Sequence, residues 1–216
     1  MKTLLSILIP STPDRRKDLY KLLECISDQA YTRKIDSYDI GDITVSRYWD
    51  LLSEIEVIIF EDAKIITIGE KRELLYKHAK GTYSIQVDSD DLLASNAIEL
   101  ILNAIKSNPK IPCITFKEKC MMNGIYKSSN HSIKYDTWKD NFDDYDFVRT
   151  PFSKDVIRTD IAQSVPFPKI RYNEDEQWSI AIKPFLASEI HIDEELYYYI
   201  YEPKESNEER YGLNRK

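Results

Sequence analysis

Glycine is scarce, with five residues in 216. None lies in the loop after the first apolar run, where a triphosphate cradle would need glycine for close backbone approach. Ser11-Thr12-Pro13-Asp14 stands there instead, which argues against nucleotidyl transfer from a triphosphate. Cysteine is sparse too. Cys25, Cys113 and Cys120 are odd in number and lack a framework spacing, so they read as reduced thiols of a cytoplasmic protein. Long apolar runs are missing. The N-terminal run stops at Pro10, too short to span a bilayer and without a small-residue cleavage site. Positive charge is in deficit: Lys and Arg number 30 against 37 Asp and Glu, a formal net charge of −7. An acidic chain is a poor general binder of nucleic-acid backbone.

What is present is ordinary globular composition, 42% hydrophobic and 31% charged. In the first half, strand and helix signals alternate, which predicts an α/β architecture. Leu4 to Ile9 reads as a strand buried on both faces. Leu19, Leu22, Leu23 and Ile26 predict a helix over about Arg16 to Gln29. Tyr31 to Trp49 is polar and irregular and takes no assignment. Glu56 to Phe60 is a second buried strand, and a helix over Glu70 to Ala79 follows. Tyr83 to Val87 is a third strand, and Ile98, Ile101, Leu102 and Ile105 mark another helical face. Pro112 to Glu118 predicts a strand, Asn123-Gly124 a hairpin turn, and Tyr135 to Tyr145 a surface loop. Helices are expected over Lys154 to Gln163 and Glu174 to Ile182, and a strand over Glu195 to Tyr201.

Two acidic constellations could carry chemistry. Asp88-Ser89-Asp90-Asp91 follows the third strand directly, and open α/β sheets bind ligands beyond the carboxyl ends of their strands. Three adjacent carboxylates repel one another unless a cation neutralises them. Hard oxygen donors suit Mg²⁺ or Mn²⁺, with a diphosphate completing the shell. The bland alternative is an Asp-rich helix cap. Lys71 and Arg72 open the preceding helix, where cations favour phosphate. Glu174-Asp175-Glu176 alone reads as the acidic first turn of a helix.

Taken in order, these pieces resemble the family 2 glycosyltransferases of the GT-A fold. The stretches concerned are Ser6 to Ser11, Ile58 to Asp62, Ile68 to Arg72, Ala79 to Tyr83 and Asp88 to Asp91. Phe167-Pro168, Asn173 to Trp178 and Leu196-Tyr197-Tyr198-Tyr199 continue the match. The resemblance implies a mixed, mostly parallel sheet flanked by helices. It also implies one domain over 1–202, with a nucleotide-binding half (1–91), an acceptor half (92–202) and a charged tail at 203–216.

The same resemblance assigns roles. Ser11 and Thr12 would line the nucleotide pocket, and Asp62, with Glu61, would bind the nucleobase. Lys71 and Arg72 would lie near the diphosphate or ribose, and Asp88 near the ribose or sugar. Asp90 would be the main ligand of Mn²⁺ or Mg²⁺, assisted by Asp91. Asp175 would be the general base of an inverting transfer from a nucleoside-diphosphate sugar, a UDP-sugar by preference, and Glu174 would orient it. The acceptor would be a hydroxyl of a glycan or other molecule. Glu73 stands where the family often has Asn, and His191 and Glu202 leave a C-terminal third ligand unassigned. His78 and His131 receive no role. A non-catalytic nucleotide- or glycan-binding protein and a nucleotidyltransferase are the alternatives. The oligomeric state stays open.

Overall fold

In a computed structural model, residues 3–50 and 54–201 are described; the expected charged tail lies outside the described residues. The chain runs β1 (Leu5–Ser11), α1 (Arg16–Ala30), β2 (Arg33–Ile40), β3 (Ile43–Trp49), β4 (Ile55–Glu61), α2 (Ile68–His78), β5 (Tyr83–Gln86), β6 (Leu92–Leu93) and α3 (Ala97–Ser107). It continues with β7 (Cys113–Met122), β8 (Ile125–His131), β9 (Lys139–Phe142), β10 (Tyr145–Arg149), β11 (Val156–Arg158), α4 (Thr159–Ser164), α5 (Glu174–Ile182) and β12 (Glu189–Tyr201).

β1 is buried at every position and pairs in parallel with β4 on one side and β5 on the other. Period-two alternation sends its side chains to two cores. Leu5, Ile7 and Ile9 join Ile55, Val57 and Ile59 of β4 under α1 and α3. Leu8 joins Ile58 and Phe60 under α2, α4 and α5. The result is a mixed sheet flanked by helices, the fold class expected. Strand order is β2-β3-β4-β1-β5-β11-β7-β8-β10-β9, with β12 lying along β7 and β6.

Glycine is spent where backbones nearly touch. A Cβ on Gly69 would sit 1.8 Å from the Pro168 carbonyl oxygen, and one on Gly81 would sit 2.6 Å from the Ser6 nitrogen. The first approach joins the start of α2 to the segment ahead of α5, and Gly69 N–H donates to the Ile170 carbonyl at 3.3 Å. The hairpin at Asn123-Gly124 forms as expected. Both residues have positive φ, and Met122 stands opposite Ile125.

Three segments depart from expectation. Tyr31 to Trp49 contains the β2–β3 hairpin, whose outer strand β2 is exposed throughout and offers no burial pattern to read. The expected helix at Lys154 begins instead as β11, because Val156 and Ile157 fill the slot between β5 and β7; helix appears only from Thr159. The surface loop at Tyr135 to Tyr145 contains the short exposed strand β9. Among the described residues, no helix is long and apolar enough to cross a membrane. All three cysteines are unpaired.

Candidate active site

The carboxyl ends of β1 and β5, the first turn of α5 and one face of β7, β8 and β10 enclose a cleft of about 710 Å³, within the range of small-molecule sites. Ser11, Thr12, Lys71, Arg72, Asp88, Asp90, Asp91, Glu174 and Asp175 all lie on its wall. Glu61 and Asp62 do not.

At the end of β1, Ser11 is buried, and its Oγ has no hydrogen-bond partner among the described residues. Thr12 follows it and starts a 3-10 turn over Pro13–Arg15. Lys71 reaches back beneath this corner. Its Nζ donates to the Ser11 carbonyl at 2.6 Å and pairs with Asp62. Burial pushes the Lys71 ammonium below its ordinary pKa, and Asp62 opposes that shift. The other Asp62 oxygen accepts from Ile65 N–H at 2.7 Å and Ile66 N–H at 3.2 Å, which shapes the turn before α2. Glu61 pairs with Arg16, Nη2 to Oε1 at 2.6 Å. Both acids therefore hold chain segments in place.

α2 starts with a capping box. Glu70 N–H donates to Thr67 Oγ1 at 3.2 Å, and Thr67 N–H donates to Glu70 Oε2 at 2.9 Å. The next turn carries Arg72 into the sheet. Its Nη1 donates to Gln86 at 3.1 Å, its Nη2 pairs with Asp88 at 3.0 Å, and its Nε donates to Glu174 at 3.0 Å. One buried guanidinium thus ties the acidic end of β5 to the acidic start of α5.

The three carboxylates after β5 have different surroundings. Asp88 is half-buried and faces Arg72. Asp90 is half-buried and pairs with Arg15 at 2.8 Å. Asp91 is buried with both oxygens engaged. Oδ2 accepts from Tyr197 Oη at 2.7 Å and Lys154 Nζ at 3.2 Å, and Oδ1 accepts from Ile200 N–H at 3.0 Å. Burial pushes the Asp91 carboxyl up to about 7, against the pull of Lys154.

Local sequence explains how α5 presents its acids. Glu174 and Trp178 are four apart and share a helical face. Trp178 is fully buried and stacks on Tyr76 of α2 at 5.5 Å and on Phe167 at 4.5 Å. Its Nε1 donates to the Val165 carbonyl at 2.8 Å. That anchor turns Glu174 toward Arg72 and leaves Asp175 half-buried on the cleft wall. Asn173 takes the left-handed conformation, φ +62, at the entry to the helix, a state Asn tolerates better than most residues. Burial holds the Glu174 carboxyl above the usual range; Arg72 opposes this and the neighbouring Asp175 adds to it.

Sequence reasoning missed a buried charge chain behind this wall. Lys154 links Asp91 to Glu118 at 3.1 Å, and its Nζ lies 4.1 Å from the Tyr199 ring centroid. Glu118 meets His131 Nε2 at 3.3 Å, and His131 Nδ1 meets Asp155 at 3.2 Å. Burial disfavours the charged imidazole, yet Asp155 and Glu118 outweigh it and raise His131 to about 9. No spacing rule connects these residues: β7–β8 pairing brings Glu118 beside His131, and the turn before β11 supplies Lys154 and Asp155. Beyond them, Trp138, Phe147 and Phe152 line the far end of the cleft.

A divalent cation that arrives with a diphosphate needs only one or two protein carboxylates. Asp88 and Asp90 meet that requirement as half-buried hard donors on the wall, whereas Asp91 is buried and held by Tyr197, Lys154 and the Ile200 N–H. Among the described residues, no three His, Cys, Asp or Glu side chains converge as a complete metal cage would require.

No protein-family model matches the chain, and no curated protein matches it. Solved structures do. The complex of S. aureus TarS 1-349 with UDP superposes with a TM-score of 0.62 at 16% identity, covering 94% of this chain and 61% of that one. The complex with UDP-GlcNAc gives 0.58 at 13%, covering 95% and 60%. TarS is a GT-A-like glycosyltransferase, and the fold of this chain is GT-A-like. At these identities the likeness establishes fold alone. The chain spans about three-fifths of the length of those structures.

Proposed function

We propose that the chain transfers a sugar from a nucleoside-diphosphate donor, a UDP-sugar by preference, to a hydroxyl acceptor, as the family 2 enzymes it resembles do. The observation that carries this reading is the single cleft in which Asp88 and Asp90 share a wall with Asp175. The UDP and UDP-GlcNAc complexes of TarS support the choice of donor. In this reading one catalytic domain covers 1–202, with the donor bound by 1–91 and the acceptor by 92–202. The setting is cytoplasmic, in keeping with three free thiols.

Ser11 and Thr12 line the nucleotide end. Asp62 shapes that end through the Ile65–Ile66 turn, and Lys71 supports it from below. Asp90 and Asp88 are the residues that would hold Mn²⁺ or Mg²⁺; bound there, the cation would stabilise negative charge on the departing diphosphate. Asp91 serves as a tie to β12 rather than as a second ligand. Asp175 takes the proton from the acceptor hydroxyl as its oxygen bonds to the anomeric carbon. The bond from that carbon to the diphosphate oxygen breaks on the opposite face, its electron pair leaves with the diphosphate, and the configuration inverts. Glu174, held by Arg72, fixes the first turn of α5 and with it the direction of Asp175.

The test is donor turnover with water as acceptor. Wild type incubated with Mn²⁺ and a panel of UDP-, GDP-, CDP- and TDP-sugars should release nucleoside diphosphate slowly from one donor class. Folded protein that releases none, and binds none, would contradict the reading.

A further inference from the structure

Each carboxylate between Asp88 and Asp91 has a resident cation, and the three cations are held with unequal firmness. Arg72 is buried and shared among Asp88, Glu174 and Gln86. Lys154 is buried between Asp91 and Glu118 against the rings of Tyr197 and Tyr199. Arg15 differs. It ends the short 3-10 turn after Thr12, its side chain is 17% exposed, and it meets Asp90, itself 29% exposed, at 2.8 Å. Both side chains face the cleft beside Ser11 and Thr12. Of these three cations, Arg15 is the one that can leave its carboxylate without uncovering a buried charge.

We propose that Arg15 is a placeholder for the divalent cation. It neutralises Asp90 while the cleft holds no nucleotide, and it turns onto the diphosphate when nucleotide and metal arrive together. This inference rests on the functional reading above. A guanidinium fork matches phosphate as well as carboxylate, so the exchange keeps its hydrogen bonds made. Two consequences follow. Free metal competes with Arg15 for Asp90 and binds weakly. Nucleotide removes that competitor, so metal and nucleotide each strengthen the binding of the other by the same factor.

The experiment is calorimetry of MnCl₂ alone, UDP alone and UDP with MnCl₂ on wild type, Arg15→Ala and Arg15→Lys. Arg15→Ala should bind Mn²⁺ alone about fivefold tighter than wild type, the scale of an ion pair at the protein surface that solvent partly reaches. It should bind UDP with Mn²⁺ more weakly, so the coupling between the two ligands shrinks. Arg15→Lys keeps the charge without the fork and should fall between. If wild type binds UDP with Mn²⁺ but Arg15→Ala binds Mn²⁺ alone no tighter, the placeholder is overturned and the functional reading stands. If Mn²⁺ binding tightens while UDP with Mn²⁺ binds unchanged, the turn onto the diphosphate is overturned. If neither protein binds Mn²⁺ or UDP in any combination, both inferences fall.

Discussion

Arg72 on α2 donates from Nε to Glu174 on α5 over 3.0 Å, across 102 positions of sequence. The same guanidinium pairs with Asp88. It is therefore the joint between the end of the third parallel strand and the helix that carries Asp175. Its two carboxylates are both at least half-buried, and each depends on it for compensation.

Arg72→Ala should accordingly destabilise the fold by about 3–5 kcal/mol, the cost of leaving a buried charge without its partner. Arg72→Lys should rescue only part, because an ammonium lacks the planar fork that reaches Gln86, Asp88 and Glu174 together. Urea unfolding checks both. A loss under 1 kcal/mol for the alanine variant would mean that solvent reaches these carboxylates.

Gly69→Ala should cost roughly 1–3 kcal/mol, the usual range for overpacking. The added carbon meets the Pro168 carbonyl, a backbone atom that cannot rotate away. Thermal melting measures the effect; an unchanged midpoint would mean that the 168–170 segment does not sit against α2.

The charge chain predicts a pH dependence above neutrality. His131 is raised to about 9 in the fold, from about 6.5 in an unfolded chain. Its contribution is complete below pH 6.5 and is lost as pH rises through about 9, a span on the order of 1–3 kcal/mol. Asp91, pushed up to about 7, also loses a proton within this range. The comparison with His131→Asn therefore isolates the imidazole. The variant should show a flatter fall in melting temperature between pH 6.5 and 9.5; parallel curves would count against a charged His131.

Asp175→Asn should lower donor turnover by about 100- to 10,000-fold, the range for loss of a general base, and leave UDP affinity unchanged. Its Oδ1 accepts from Glu176 N–H at 2.9 Å, a bond the asparagine oxygen keeps, so the helix start should survive. Turnover equal to wild type would remove Asp175 from the chemistry.

The buried parallel strands are legible in the sequence because both their faces are apolar: the Ile, Val and Leu runs of β1 and β4 admit one reading. Helix α5 is legible to the residue, since Glu174 opens it and Pro184 stops it. Strand β2 is not legible, because an edge strand exposed on both faces has no pattern to betray it. β11 misleads for the opposite reason. Its three residues are a strand only because β5 and β7 leave a gap between them. In the site, the acidic run after β5 points to Asp88 and Asp90, the family resemblance adds Glu174 and Asp175, and the fold brings all four to one cleft. The resemblance also points to Glu61 and Asp62, which lie off its wall and brace it. Lys154, Glu118 and His131 carry no local signal, since their meeting depends on β7–β8 register and on the turn ahead of β11.

The most direct test of the account is calorimetry of UDP with Mn²⁺, repeated with EDTA, on wild type and Asp90→Ala. The account predicts binding to wild type that weakens with EDTA, and weaker binding to the variant that EDTA no longer changes. Folded wild type that binds no UDP, or an Asp90→Ala variant that binds it as well as wild type, would contradict it.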